Sequence, residues 1–395
     1  MLTVRPALTA VAALCAAVTL TGAAAPTPSI RERQRWVLSA LNMERAWAVT
    51  KGAGVTVAVI DSGVDPNVRE LKGKVVSGPN MVSQVVERTA VPPGQHGTAM
   101  ASLIAGTGAG GGIVGTAPEA RVLSLRLTQD APDRPGNLRD EPGRRDSPLA
   151  RAIRYAADHG AQVINLSIGV YTPHRSEREA LSHALTKGAV VVAAVGNDGK
   201  PGRADTPHSS IWSYPAGYTG VIGVGSVGRD GLPAPFATSN LSVLVAAPGV
   251  DVPIAVPGGK YGTARGTSAS AALVAGVAAL VKSRHPKLRP ELVARAMATG
   301  THNRPDRGYD DRVGFGTVDA AAVLAKAGEL SGYRTSTDVP GTTHFGGGPP
   351  QAVGAPGPDP VKMWLYISGI LAGLLTFTGV IVVLTRRSEH TSGPT

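Results

Sequence analysis

Gly54-Val55-Thr56-Val57-Ala58-Val59-Ile60-Asp61-Ser62-Gly63 is the stretch on which the reading of this chain turns. From Gly54 to Ile60 it is apolar or β-branched throughout, as expected for a strand buried on both faces of a parallel sheet. Asp61 follows at the carboxyl end of that strand, where open α/β sheets collect their ligands. A turn beginning Ser62-Gly63 leaves the carboxylate facing the crevice. Standing alone, Asp61 would read equally well as a turn residue capping local N–H groups.

Two distant segments change that balance. His96-Gly97-Thr98 follows Pro92-Pro93-Gly94-Gln95 and precedes the small-residue run Ala99 to Ala105, so the imidazole sits at a loop-to-helix junction. Alone it would be a solvated loop histidine. Gly266-Thr267-Ser268 precedes Ala269 to Ser283, a helix with so little polar surface that it belongs in the middle of a domain. The amino end of such a helix offers unpaired N–H groups and partial positive charge, which stabilise an oxyanion and position a nucleophile. Thr267 and Ser268 are also good helix caps, so capping competes with catalysis for this motif. Ser270 would lie roughly 200° around the helix from Ser268 and cannot address the same histidine.

The order in the chain is Asp, then His, then Ser. Chymotrypsin-like enzymes run His, Asp, Ser and the α/β-hydrolases run Ser, Asp, His, so the order selects one of three unrelated architectures and predicts a serine hydrolase. A fourth element fits. Val190 to Val195 is a second buried-strand run, and Gly196-Asn197-Asp198-Gly199 turns at its end, presenting an amide able to donate to a tetrahedral intermediate. Without the other three groups, Asn197 would be a plain Asn-Asp-Gly turn residue.

With these residues in place, the chain resembles the subtilase superfamily. The likeness runs through Val59-Ile60-Asp61-Ser62-Gly63-Val64, His96-Gly97-Thr98, Asn165-Leu166-Ser167-Ile168-Gly169, Ala193-Ala194-Val195-Gly196-Asn197 and Gly266-Thr267-Ser268-Ala269, and spans about Arg35 to Ala325. It implies a subtilisin-like, three-layer α/β fold with a mostly parallel central sheet. It also implies Asp61, His96 and Ser268 as the triad of an endopeptidase, Asn197 as oxyanion donor, and Ser167, Ile168 and Gly169 as an edge strand that pairs with substrate backbone. An extended peptide added to a strand edge satisfies its main-chain groups without its sequence being read. Within the superfamily, the leader, the Trp36 to Gly54 lead-in, a Pro/Gly tether and a carboxyl-terminal apolar helix resemble the mycosins, the membrane-anchored proteases of type VII secretion systems. Exported proteins or peptides would then be the substrates and the secretion machinery a partner. The chain departs from the family's habit at Ala269 and Ser270, where a bulkier residue and then alanine are common, and at Val195, where a smaller residue is usual. About 30 residues separate the leader from the first core strand, so no inhibitory propeptide of the usual size is expected.

The ends of the chain set the expected domain plan. Residues 1–25 carry one arginine, an apolar run from Ala7 to Leu20 and Ala23-Ala24-Ala25, the pattern of a secretory signal peptide. Cys15, the single cysteine, lies inside it, so the mature chain would contain no disulfide. Residues 26–330 form the expected peptidase domain and 331–360 a linker dense in Pro, Gly and Thr. Trp364 to Leu384 holds no charge over some 21 residues, long enough to cross a hydrocarbon core, so 361–385 reads as a transmembrane helix. Arg386 and Arg387 favour a cytoplasmic tail (386–395) and an extracytoplasmic catalytic domain.

The net charge of +11 is spread along the chain with few aromatic residues, which argues against nucleic-acid binding. Thr128 to Pro148, rich in Pro, Asp, Arg and Gly, reads as a surface insertion near the cleft. Asp65 and Asp198 stand in no recognisable ligand run, so neither metal nor cofactor is expected. A rival reading from another class is a scaffold component of an export machine that keeps the fold with little hydrolysis.

Overall fold

The structure is a computed structural model that describes residues 28–81, 94–127, 146–199, 212–332 and 359–390. The leader reading at 1–25, residues 128–145 of the insertion, 333–358 of the linker and 391–395 of the tail lie outside the described residues. The chain divides into two units, 1–333 and 334–395.

In β1 (Thr56–Asp61), Val57 and Val59 join one hydrophobic core while Ala58 and Ile60 join another. A strand alternates its side chains between two faces, so an unbroken apolar run implies that both faces are covered. The remaining strands of the first unit are β2 (Val75–Asn80), β3 (Arg121–Arg126), β4 (Val163–Leu166), β5 (Val190–Ala194), β6 (Val221–Val227), β7 (Val243–Pro248), the antiparallel pair β8 (Val252–Val256) and β9 (Lys260–Ala264), and the short β10 (Thr301–His302) and β11 (Thr317–Val318). Among the described residues the main sheet runs β10-β11-β7-β6-β5-β4-β1-β3-β2, parallel except for β10 against β11. From β1 the chain passes to β2 at the outer edge, returns to β3 beside β1, then crosses to β4 on the other side of β1. The carboxyl ends of β1 and β4 therefore flank a topological switch point, where a doubly wound sheet leaves a crevice.

Helices cover both faces, giving the expected three layers. On one face, α4 (Pro148–Asp158) and α5 (Arg175–Thr186) pack together over Ala58, Ile60, Val191 and Ala193. Ser147 caps α4, and Pro148 stands at its first position, where a missing N–H is harmless. On the other face, α3 (Gln95–Ala105) and α6 (Thr267–Arg284) lie over Val57, Val59, Val190 and Val192. In α6 every residue from Ala269 to Lys282 is buried. Gly276 lets it approach its neighbour, since a Cβ there would meet Thr116 Oγ1 at 1.8 Å. The helix begins at Thr267 rather than Ala269, which puts Ser268 in its first turn.

The segment before β1 is part of this unit. Two helices, α1 (Ile30–Ala40) and α2 (Met43–Trp47), bury Val37, Leu41, Met43 and Ala46 in the core shared with α3 and α6. A capping box between Ser29 and Glu32 starts α1. The buried Gln34 amide donates to the Val114 carbonyl at 2.7 Å and accepts the Val114 N–H at 3.0 Å. Trp47 Nε1 donates to the Thr116 carbonyl at 2.9 Å. At the far end, α7 (Pro290–Thr299) packs on α8 (Ala320–Ser331), and the N–H of Ala320 donates to Leu41 at 2.9 Å. Asn42 Nδ2 stands 3.1 Å from Asp319 Oδ2.

The second unit holds α9 (Pro360–His390), in which Pro360–Arg386 is a 27-residue candidate membrane span of mean hydropathy 2.4.

Candidate active site

Asp61 closes β1, His96 lies in the first turn of α3 and Ser268 in the first turn of α6, while Ser167, just after β4, is bonded to Ser268. The Asp61 carboxylate is buried at 1% exposure and the His96 side chain is 44% exposed. His96 Nδ1 lies 2.8 Å from Asp61 Oδ1 and 2.9 Å from Oδ2. A carboxylate only accepts, so Nδ1 carries the proton, and in the neutral ring Nε2 then holds the lone pair a general base requires. Asp61 Oδ1 also accepts the N–H of Ser62 at 2.7 Å.

Small residues hold this pair in register. Ser62 Oγ accepts the N–H of Gly97 at 3.0 Å, tying the turn after β1 to the first turn of α3. A Cβ on Gly97 would stand 2.2 Å from the Gly63 carbonyl and 3.2 Å from Asp61 Cβ, so the residue after the histidine has no room for a side chain.

Ser268 is half-buried, and its hydroxyl donates to the Ser167 carbonyl at 3.2 Å. The Ser167 hydroxyl in turn donates to the Ser268 carbonyl at 3.0 Å and accepts from Asn165 Nδ2 at 3.0 Å. Asn165 is wholly buried in β4, and among the described residues its Oδ1 has no hydrogen-bond partner. Ser270 faces away as its helical position requires: its hydroxyl reaches the Ala247 carbonyl at 3.0 Å and Ser226 Oγ at 2.8 Å.

Asn197 follows the positive-φ Gly196 at the end of β5. Its Oδ1 accepts from the Thr267 N–H at 2.9 Å and from Thr267 Oγ1 at 3.0 Å. Two donors on one atom settle which end of the amide is oxygen, and Nδ2 is left to donate elsewhere. A Cβ at Gly266 would come 3.2 Å from that nitrogen, so glycine there keeps the space beside it open. The first N–H groups of α6 have no intrahelical acceptor and point the same helix end toward developing negative charge.

The segment expected as an edge strand takes a different form. β4 is an interior strand ending at Leu166, and Ser167, Ile168 and Gly169 run on beyond the ladder before Val170 pairs with Tyr214. Ile168 packs partly into the core and Gly169 is exposed. Among the described residues no group of three His, Cys, Asp or Glu side chains gathers as a metal site, and Asp198 Oδ2 accepts from the Tyr171 hydroxyl.

Sequence reasoning missed Ser62, Asn165 and Thr267 as supports of the site. Each is a small polar residue whose partner in the site is set by the fold, and Thr267 meets Asn197 across 70 residues of chain. The one available signal is that each lies within or beside a motif already singled out.

A doubly wound parallel sheet with a buried Asp–His pair and a helix-borne serine at its switch point defines a serine peptidase of the subtilisin type. The chain belongs to the subtilase family, whose family model matches residues 52–316. It is 40% identical over 243 residues to the thermophilic serine proteinase of Bacillus sp. (strain AK1), a match covering 60% of this chain and 55% of that protein. It is 35% identical over 333 residues to mycosin-1 of Mycolicibacterium smegmatis, covering 73% of this chain and 72% of that one. Among solved structures, MycP1, described as an essential component of the type VII (ESX-1) secretion system, superposes with a TM-score of 0.63 at 33% identity. That match covers 76% of this chain and 90% of that chain.

Proposed function

We propose that Asp61, His96 and Ser268 are the catalytic triad of a membrane-anchored, outward-facing endopeptidase that cleaves exported proteins in association with type VII secretion. The observation that carries the chemistry is the buried Asp61 carboxylate gripping His96 Nδ1 at the switch point from which Ser268 also rises. For attack, the Ser268 O–H turns from the Ser167 carbonyl to Nε2 of His96, which takes the proton as Oγ bonds to the scissile carbonyl carbon. Asp61 fixes the imidazole and supports its positive charge. The oxyanion receives the Asn197 Nδ2 and Ser268 N–H donors, and the protonated His96 gives its proton to the leaving amine. Water then enters, His96 accepts its proton, and hydrolysis of the acyl-enzyme restores Ser268. Ser167 to Gly169 offers main-chain groups to the acyl half of the substrate.

The anchor is α9, a candidate span by length and hydropathy, with Arg386 at its carboxyl end setting the catalytic unit outside under the positive-inside rule. The secretion role is supported by the likeness to mycosin-1 and MycP1. The test is fluorophosphonate labelling of the full chain in detergent beside Ser268→Ala. Labelling of the wild type alone is expected, and a folded wild type that stays unlabelled would overturn the triad. In cells, export lost in Ser268→Ala as completely as in a gene deletion is expected; full export by the variant would favour a scaffold.

A further inference from the structure

Arg265 stands immediately ahead of the Gly266-Thr267-Ser268 turn, exposed to solvent, with its guanidinium carbon 5.1 Å from the centroid of the Phe236 ring. The backbone that carries the ring is held in turn. The Phe236 carbonyl accepts the N–H of Gly199 at 3.0 Å, and Thr238 Oγ1 accepts the N–H of Asp198 at 3.0 Å. The segment from Phe236 to Thr238 is thereby bound to the turn that carries Asn197. Arg265 is joined to the nucleophile by the chain and to the Asn197 turn through Phe236, so its cation lies on the rim where a bound peptide would be cut.

Among the described residues no carboxylate is paired with Arg265. Stacking on an aromatic face restrains a guanidinium while leaving the N–H donors along its edge open. That edge is a planar fork matched to a carboxylate, and a fork already held in place loses less freedom when it pairs. We propose that Arg265, held by Phe236, is a specificity-determining residue that selects peptides with Asp or Glu close to the scissile bond. The inference rests on the triad reading above and adds the substrate class that the site prefers.

The experiment uses the full chain in detergent and peptide pairs that differ only by Glu or Gln at each position flanking the cut, with kcat/KM measured for each pair. At one position the wild type should favour Glu by about threefold to tenfold, the size of an exposed but preorganised charge-assisted contact. Because the pair is solvent-facing, the ratio should shrink as salt is raised. Arg265→Gln should bring it close to one and Arg265→Glu should invert it, while Phe236→Leu should lower it by freeing the guanidinium. The control is Arg229→Glu, the same charge change at an arginine stacked on Trp36, 5.3 Å from that ring centroid, and it should leave the ratio alone. Absence of a Glu preference at every position, or a ratio that survives in Arg265→Gln, overturns the proposal. Fluorophosphonate labelling in parallel separates the two readings. An enzyme that labels but shows no preference sinks this inference alone, whereas one that neither labels nor cleaves sinks the triad and this with it.

Discussion

Ser167 and Ser268 are bound to each other twice, the hydroxyl of each donating to the carbonyl of the other at 3.0 and 3.2 Å. Ser268, the proposed nucleophile, is thus braced by the segment proposed to receive the substrate, and Asn165 stands behind the brace. Ser167→Ala removes one of these bonds and leaves the buried Asn165 amide without its acceptor, a loss of about 1–3 kcal/mol. The expected result is a Tm lowered by several degrees and slower phosphonate labelling, measured by thermal melting and active-site titration. A variant as stable and as fast as wild type would show that the brace carries no strain-bearing role.

Thr267 sets the orientation of Asn197 by two bonds to its Oδ1, so the two residues should fail together. Asn197→Leu removes the donor and should lower kcat by about 10²–10³-fold with KM little changed, the loss measured for one such donor in subtilisin. Thr267→Val keeps the shape and the main-chain bond to Oδ1 but removes the hydroxyl bond, loosening the amide, with an expected loss of up to about tenfold. The double variant should be no worse than Asn197→Leu, because the orientation of a missing amide has no value.

Gly97 admits no side chain, its Cβ position lying 2.2 Å from the Gly63 carbonyl. Gly97→Ala must push α3 away from the turn after β1, which stretches the 2.8 Å contact of His96 with Asp61. Overpacking of this kind destabilises by about 1–3 kcal/mol. Stability measured in urea should fall by that amount while labelling falls further, and unchanged labelling would place the histidine beyond the reach of this contact.

Gln34 replaces a missing strand partner for Val114, donating and accepting at 2.7 and 3.0 Å in a fully buried site. Gln34→Leu keeps the volume and leaves both main-chain groups of Val114 unpaired, about 1–3 kcal/mol for each. Reduced urea stability is expected. Cleavage near Ala53 followed by unchanged stability would mean that α1 and α2 are dispensable cover.

Asp158 joins α4 to α5, receiving His183 Nε2 at 2.8 Å and Lys187 Nζ at 2.7 Å. These donors pull its carboxyl down from 3.8 to about 2, so it binds its proton less readily in the folded state. The stabilisation is present above the unfolded value and is lost as pH falls through the folded one. The Tm difference between wild type and Asp158→Asn should therefore be full at neutral pH and shrink between about pH 4 and 2. A difference independent of pH would assign the effect to packing.

The strand run before Asp61 and the glycine-bounded motifs at His96, Asn197 and Ser268 were legible because each is a local signal: β-branching, a turn, a helix start. The order of the triad then selected the architecture. What lay beyond reach was long-range. Nothing in the segment 28–50 announces that Gln34 pairs with Val114, 80 residues on. Starting α6 at Ala269 missed its first turn, because Thr267 and Ser268 are held by Asn197 and Ser167 rather than by helical bonds. That Ser167 to Gly169 runs on beyond an interior strand was not legible, since strand order, and hence what is interior, is a property of the whole sheet.

The contacts of Leu41 with Ala320 and of Asn42 with Asp319 join positions 279 and 277 residues apart. During synthesis the earliest part of this unit must wait, with Leu41 and Met43 uncovered, until nearly all of the unit has emerged. Closing so long a loop is slow, and a chain broken off before α8 would leave that apolar surface open to proteases and chaperones. The joint between the two ends is thus completed only once α8 has been made, so cover for that apolar surface depends on the full length of the unit.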